Sequence, residues 1–112
     1  MPKRRIELAL AEAALLFAAL GDETRLALLR RLSEGGPASI STLAESFQVT
    51  RQAVTKHLQF LANAGIIDGT RDGRQHVWAL KPARLADAQR WLEIIGRGWD
   101  DALARLKDHL ES

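Results

Sequence analysis

Three residues, Gln48-Val49-Thr50, separate two stretches of helical periodicity. No other feature constrains the fold of this chain as tightly. Before the break, Leu43, Ala44 and Phe47 recur at helical spacing in a short helix that starts near Ser41 or Thr42. Thr42 with Glu45 fits a capping box, with Ser41 competing for the cap. After the break, Thr50 is a good N-cap for a helix from Arg51 to about Ala64, which Gly65 ends. Val54, Leu58 and Leu61 give that helix one buried stripe. Two helices joined by so short a turn, the second with a polar face, form a helix-turn-helix over 41–64.

The polar face of the second helix carries Gln52, Thr55, Lys56, Gln59 and Asn63, and no acidic residue. A merely solvated face mixes signs, with Glu or Asp near Lys or Arg. The formal net charge of +2 looks bland until it is divided along the chain. Residues 1–50 and 82–112 are neutral or slightly acidic, whereas 51–81 hold Arg51, Lys56, Arg71, Arg74 and Lys81 against Asp68 and Asp72. A basic patch on a near-neutral chain implies a polyanionic partner. The second helix of a helix-turn-helix fits the major groove of DNA, where Gln pairs with adenine, Arg or Lys with guanine, and Thr with either base or a thymine methyl. Acidic side chains there would be repelled by phosphate, which accounts for their absence. Thr50, Arg51, Gln52, Thr55, Lys56 and Gln59 are therefore the expected DNA-facing residues of this helix.

The remaining pattern is consistent with one domain over 1–112, mainly α, with about five helices and a two-stranded hairpin. Ile6, Leu10, Ala13, Phe17 and Leu20 mark a first amphipathic helix within 1–20. Asp22 caps a second helix that is expected to bury Leu26, Leu29 and Leu32 and to stop at Gly35-Gly36-Pro37. After Gly65 the period changes: IIDGTR and QHVWAL are two strands around Asp72-Gly73-Arg74, a hairpin over 66–80 with Arg71 and Arg74 at its tip. Val77 and Ala79 compete with Trp78 and Leu80 for its buried face. Such a hairpin can lie on the DNA backbone or enter the minor groove, which makes the whole a winged helix. A last helix over 83–111 steps through Leu85, Ala88, Leu92, Ile95, Trp99, Ala102 and Leu106 in a 3-4 seam of coiled-coil type. Trp91, Ile94, Leu103 and Leu110 form a second stripe, and Gly96 and Gly98 imply close approach or a kink. One small core cannot cover both terminal helices, so a homodimer is expected.

Several classes are disfavoured. There is no cysteine, hence no disulfide, thiolate catalysis or Cys-ligated metal, and a reducing, cytoplasmic setting is expected. Glu7 and Glu12 interrupt the only segment resembling a secretory leader. No run approaches the roughly 20 apolar residues of a membrane span, so no membrane association is expected. No catalytic set appears: there is no Ser–His–acid pairing and no phosphate-cradling glycine loop. His57 lies at the edge of the Val54 stripe as a packing or hydrogen-bonding residue, His76 sits on the wing, and His109 falls on the terminal seam.

The segments ALGDETRLALLRRLSEG, STLAESFQVTRQAVTKHLQFLANAGII and RDGRQHVWAL, in that order over about 17–80, resemble the ArsR/SmtB family of winged-helix repressors. The resemblance implies a DNA-binding homodimer joined by its first and last helices, with base-reading positions falling on Arg51, Gln52, Thr55 and Lys56. On the terminal helices, Ile6, Leu10, Phe17, Leu85, Leu92, Ile95, Trp99 and Leu106 are the expected interface. The chain departs from the family's metal sensors. SISTLAE stands where a cysteine-bearing run is found in some members, and Asp87-Ala88-Gln89 offers Gln where a histidine ligand is needed. No metal and no cofactor is expected. The expected partners are double-stranded DNA, in the form of an inverted-repeat operator, and a second copy of the chain. Two alternatives stay open: a repressor responding to an unidentified small organic effector at the dimer interface, and a winged-helix module for protein association.

Overall fold

Three side-chain caps fix where the inner helices begin. In the computed structural model, which describes the backbone of residues 3–111 and the side chains of residues 9–111, Asp22 accepts from the Arg25 N–H at 3.0 Å. Ser39 accepts from the Thr42 N–H at 3.2 Å, and Thr50 from the Ala53 N–H at 3.1 Å. These caps start α2 (Glu23–Gly35), α3 (Ile40–Phe47) and α4 (Arg51–Asn63). The third helix therefore begins earlier than the capping-box pattern suggested: the cap is Ser39, not Ser41 or Thr42. Ser39 is free to cap because its backbone is extended, as the end of a two-residue strand, β1 (Ala38–Ser39).

The first helix, α1 (Lys3–Leu20), has no basic residue in its last turn. Arg25 of α2 supplies the missing donors, giving Nε to the Ala19 carbonyl at 2.8 Å and a terminal nitrogen to the Ala18 carbonyl at 3.0 Å. The same guanidinium lies 4.1 Å above the ring centre of Phe60 on α4. One side chain thus ties together the end of α1, the start of α2 and the middle of α4.

The core draws Leu16 from α1, Leu28 from α2, Leu43 from α3, and Val54, Leu58 and Leu61 from α4. The α2 stripe is turned from the expected one: Leu28, Leu29 and Leu32 are buried, while Leu26 is half exposed. The Arg25 anchor sets this rotation, because it directs residues 25, 28, 29 and 32 inward together.

Strands β2 (Ile67–Asp72) and β3 (Gln75–Leu80) form the expected hairpin. They turn through Gly73-Arg74 with a positive φ of 65° at Gly73, the geometry of a two-residue loop led by glycine. The sheet has a third strand that the sequence did not suggest. β1 pairs with the other side of β3, Ala38 opposite Trp78 and Ser39 opposite Val77, giving the order β1-β3-β2. Trp78 decides the buried face: it is in the core, whereas Val77, Ala79 and Leu80 are only partly covered.

His76 stacks on Trp78 with ring centres 4.4 Å apart, across the backbone of Gly69. A Cβ on Gly69 would lie 2.3 Å from His76 Nε2 and 3.0 Å from Trp78 Cζ3. Gly69→Ala should therefore lower stability by about 1–2 kcal/mol, through loss of the stack rather than backbone strain. Thermal unfolding checks this. In a His76→Ala background the same substitution should cost clearly less, because the nearer clash is gone. An equal cost in both backgrounds would refute the account.

The last helix, α5 (Pro82–Glu111), is anchored only at its start. Ala88 is buried and Leu85 packs on the core, but from Leu92 onward every residue except Ala102 is exposed. The helix runs unbroken through Gly96 and Gly98, and a Cβ at either would meet nothing within 4 Å, so neither marks a close approach within the single chain. The radius of gyration, 18.5 Å, exceeds the roughly 13 Å of a compact chain this long because α5 projects from the body.

Candidate nucleic-acid interface

The turn before α4 is tight enough to need a left-handed residue, and Gln48 takes that conformation at φ 53°. Its N–H donates back to the Ala44 and Glu45 carbonyls, closing α3. Thr50 then opens α4, so the first turn of α4 stands clear of α3.

Along α4, Gln52, Lys56 and Gln59 are exposed on the face opposite Val54, Leu58 and Leu61, and Arg51 is exposed at the start of the helix, nearer the edge of that buried stripe. Thr50, Arg51, Gln52, Thr55 and Lys56 line one open concavity. Thr55 differs from its neighbours: it is half-buried, and its hydroxyl donates to the Arg51 carbonyl at 2.6 Å. Its proton is spent within the helix, leaving an acceptor lone pair and a methyl group to offer outward.

Arg71 on β2 and Arg74 at the turn are exposed. Arg74 and Arg51 line one hollow together with Ser41, Gln75 and His76. The expected helix and wing residues thus meet at a shared edge. Ser39, Ser41 and Gln75 were not expected there. They arrive because β1 pins the start of α3 against the hairpin, and a two-residue strand is too short to show any alternation in sequence.

Charge sorts cleanly. Arg30, Arg84, Arg90 and Arg97 pair with Glu34, Asp87 and Glu93, all away from this face. Arg51, Lys56, Arg71 and Arg74 have no carboxylate partner among the described residues. His57 sits at the boundary, its Nδ1 3.8 Å from an Asp22 carboxylate oxygen. The Arg25 backbone N–H holds the Asp22 carboxyl below its usual range, with the Arg25 and His57 charges adding to that.

The expected interface residues divide. Leu10, Leu92, Ile95, Trp99 and Leu106 are between 51% and 65% exposed in the single chain. Phe17 and Leu85 instead pack against the chain's own core. The side chain of Ile6 lies outside those described. Trp91 lines a groove between α1 and α5 with Glu12, Leu16, Arg84 and Ile94. Asp87, at the position weighed for a metal ligand, pairs with Arg84 at 3.5 Å and with Arg90. Among the described residues no three His, Asp or Glu side chains are placed to share a metal ion.

A family model described as a helix-turn-helix domain matches residues 20–70. The HTH-type transcriptional regulator Rv2034 of Mycobacterium tuberculosis is 34% identical over 94 residues, covering 84% of each chain. The transcriptional repressor SdpR of Bacillus subtilis is 31% identical over 87 residues, 77% of this chain and 96% of SdpR. Among solved structures, an ArsR-like transcriptional regulator from Rhodococcus sp. RHA1 superposes with a TM-score of 0.83 at 41% identity, over 91% of this chain and 93% of that one.

Proposed function

This chain belongs to the ArsR/SmtB family of winged helix-turn-helix, DNA-binding transcriptional regulators, and from that premise we propose that it is a homodimeric repressor of an inverted-repeat operator. α4 enters the major groove, with Gln52, Lys56 and Gln59 toward the base edges, and the wing grips the backbone through Arg71 and Arg74. The observation that carries this reading is the unpaired set Arg51, Lys56, Arg71 and Arg74 beside an acid-free helix face. Cations left without carboxylates on one face are available to phosphates.

Dimerisation is supported by α5. A helix whose last twenty residues are almost wholly exposed is marginal alone in water. Leu92, Ile95, Trp99 and Leu106 give it an apolar seam that a second copy would cover. Two-fold symmetry then places two α4 helices about one turn of DNA apart. The protein acts in the cytoplasm, where its DNA is, and carries out no catalysis. Among the described residues no helix is long and apolar enough to cross a membrane.

Phe60 weighs against a protein-docking module. It is the one large apolar side chain near the polar face of α4 among the described residues, and the Arg25 guanidinium stacks over one face of its ring. The direct test is selection of bound duplexes from a random pool, followed by salt titration on the selected and a scrambled site. An inverted repeat and a steep salt dependence are expected. Equal affinity for both duplexes would overturn the proposal.

A further inference from the structure

We propose that the hollow between the start of α3 and the wing tip seats one backbone phosphate of the bound DNA, and that Arg51 belongs to this seat rather than to the base-reading set. This rests on the DNA-binding reading above and deepens it. The hollow is small, about 130 Å³, with room for a phosphate group. Four elements build it: β1 contributes Ser39, α3 contributes Ile40 and Ser41, α4 contributes Arg51, and the hairpin contributes Arg74, Gln75 and His76. No acidic residue lines it, and neither guanidinium has a carboxylate partner among the described residues.

The hollow is preformed. Pairing of Ser39 with Val77 locks the start of α3 to the hairpin, and stacking on Trp78 holds the His76 ring. The start of α3, the positive end of that helix, also lies at the hollow through Ile40 and Ser41, although the Thr42 N–H is already taken by Ser39. Two forked guanidiniums on one small cavity match the oxygens of a phosphate, not the flat edge of a base. Position agrees with chemistry. When a helix lies in the major groove, the elements flanking it meet the sugar–phosphate strand. Arg51 stands where the hollow meets the open concavity along α4 and lines both, whereas Gln52 and Lys56 line the concavity alone. The base-reading set is then Gln52, Thr55 and Lys56, with Arg51 removed.

The test uses the full chain, the selected operator and a scrambled duplex. Arg51→Ala and Arg74→Ala should each weaken binding about tenfold on both duplexes and lower the salt slope by about 1 per half-site, about 2 for the symmetric dimer. Repeating the selection with Arg51→Ala should return the same consensus. The double variant should lose less than the product of the two single losses, because both side chains hold one phosphate. Operators carrying a single neutral methylphosphonate per half-site give the independent readout. One position should weaken the wild-type protein about tenfold and Arg51→Ala less than about twofold. Both arginines are exposed, so the variants should fold, and circular dichroism confirms it. A changed base preference with Arg51→Ala, or no methylphosphonate position that removes its effect, would overturn the seat while wild-type discrimination of selected from scrambled DNA left the DNA-binding reading standing. Loss of that discrimination in the wild type would overturn both.

Discussion

Ile95→Glu should leave the winged domain folded, make the protein monomeric, and lower operator affinity at least about a hundredfold. In the single chain Ile95 is 59% exposed, so the substitution removes nothing from the core. In the proposed dimer it would bring two carboxylates together across the symmetry axis in an apolar seam. Burying an unpaired charge costs far more than the lost contact of one isoleucine. Dimer formation in turn joins two half-site contacts, so that the second binds at a high effective concentration. Losing that linkage forfeits about 10²- to 10⁴-fold in affinity. Trp99→Ala, which only trims the seam, should weaken the dimer without abolishing it. Sedimentation at micromolar concentration should give about twice 12.4 kDa for the wild type and the single-chain mass for Ile95→Glu. A variant that still sediments as a dimer would show that the seam is not the interface. A variant that is monomeric yet keeps full operator affinity would show that DNA recognition does not need two copies.

The helix-turn-helix was legible in sequence because its signals are local. Thr50 caps α4 in the structure, and the stripe Val54, Leu58 and Leu61 is buried, as the spacing required. The hairpin was legible for the same reason, since Asp72-Gly73 marks its own turn. The misplaced features depend on residues far apart in the chain. Ser39 could not be recognised as the α3 cap without knowing that Ala38–Ser39 pairs with Trp78 and Val77, some forty residues on. The rotation of α2 that exposes Leu26 follows from Arg25 reaching the Ala18 and Ala19 carbonyls and the Phe60 ring, again through contacts with other helices. Periodicity gives a helix an apolar face but not its phase to within one residue when leucines stand at 26, 28, 29 and 32. The same limit applied to the terminal helices. The 3-4 seam showed which residues share a stripe, but not that Phe17 and Leu85 would turn to the chain's own core while Leu92, Ile95 and Trp99 stayed exposed. For the candidate site, charge and residue type marked the participants, whereas the proximity of Arg51 to Arg74 needed the third strand.

Gln52→Ala should cost about 1–3 kcal/mol per half-site on the selected operator, roughly 2–6 kcal/mol for a symmetric dimer, and almost nothing on a scrambled duplex. Gln52 is exposed on the first turn of α4 and lines the open concavity. Its side chain has no hydrogen-bond partner among the described residues, so both its donors and its acceptor are available for a bidentate pair with adenine. Removing it deletes no charge, so the salt slope should not change, unlike the losses expected at Arg51 and Arg74. The consensus reselected with the variant should relax at one position in each half-site and keep its spacing. Thr55 provides a contrast. Because its hydroxyl proton is already donated to the Arg51 carbonyl, Thr55→Val should retain most of the affinity if the methyl contacts a thymine. It should lose affinity only if the hydroxyl oxygen accepts a bond from the DNA. Fluorescence anisotropy on selected and scrambled duplexes at several salt concentrations separates these outcomes. Should Gln52→Ala weaken both duplexes equally, α4 would be gripping DNA without reading it, and sequence preference would have to come from the wing and from the shape of the duplex.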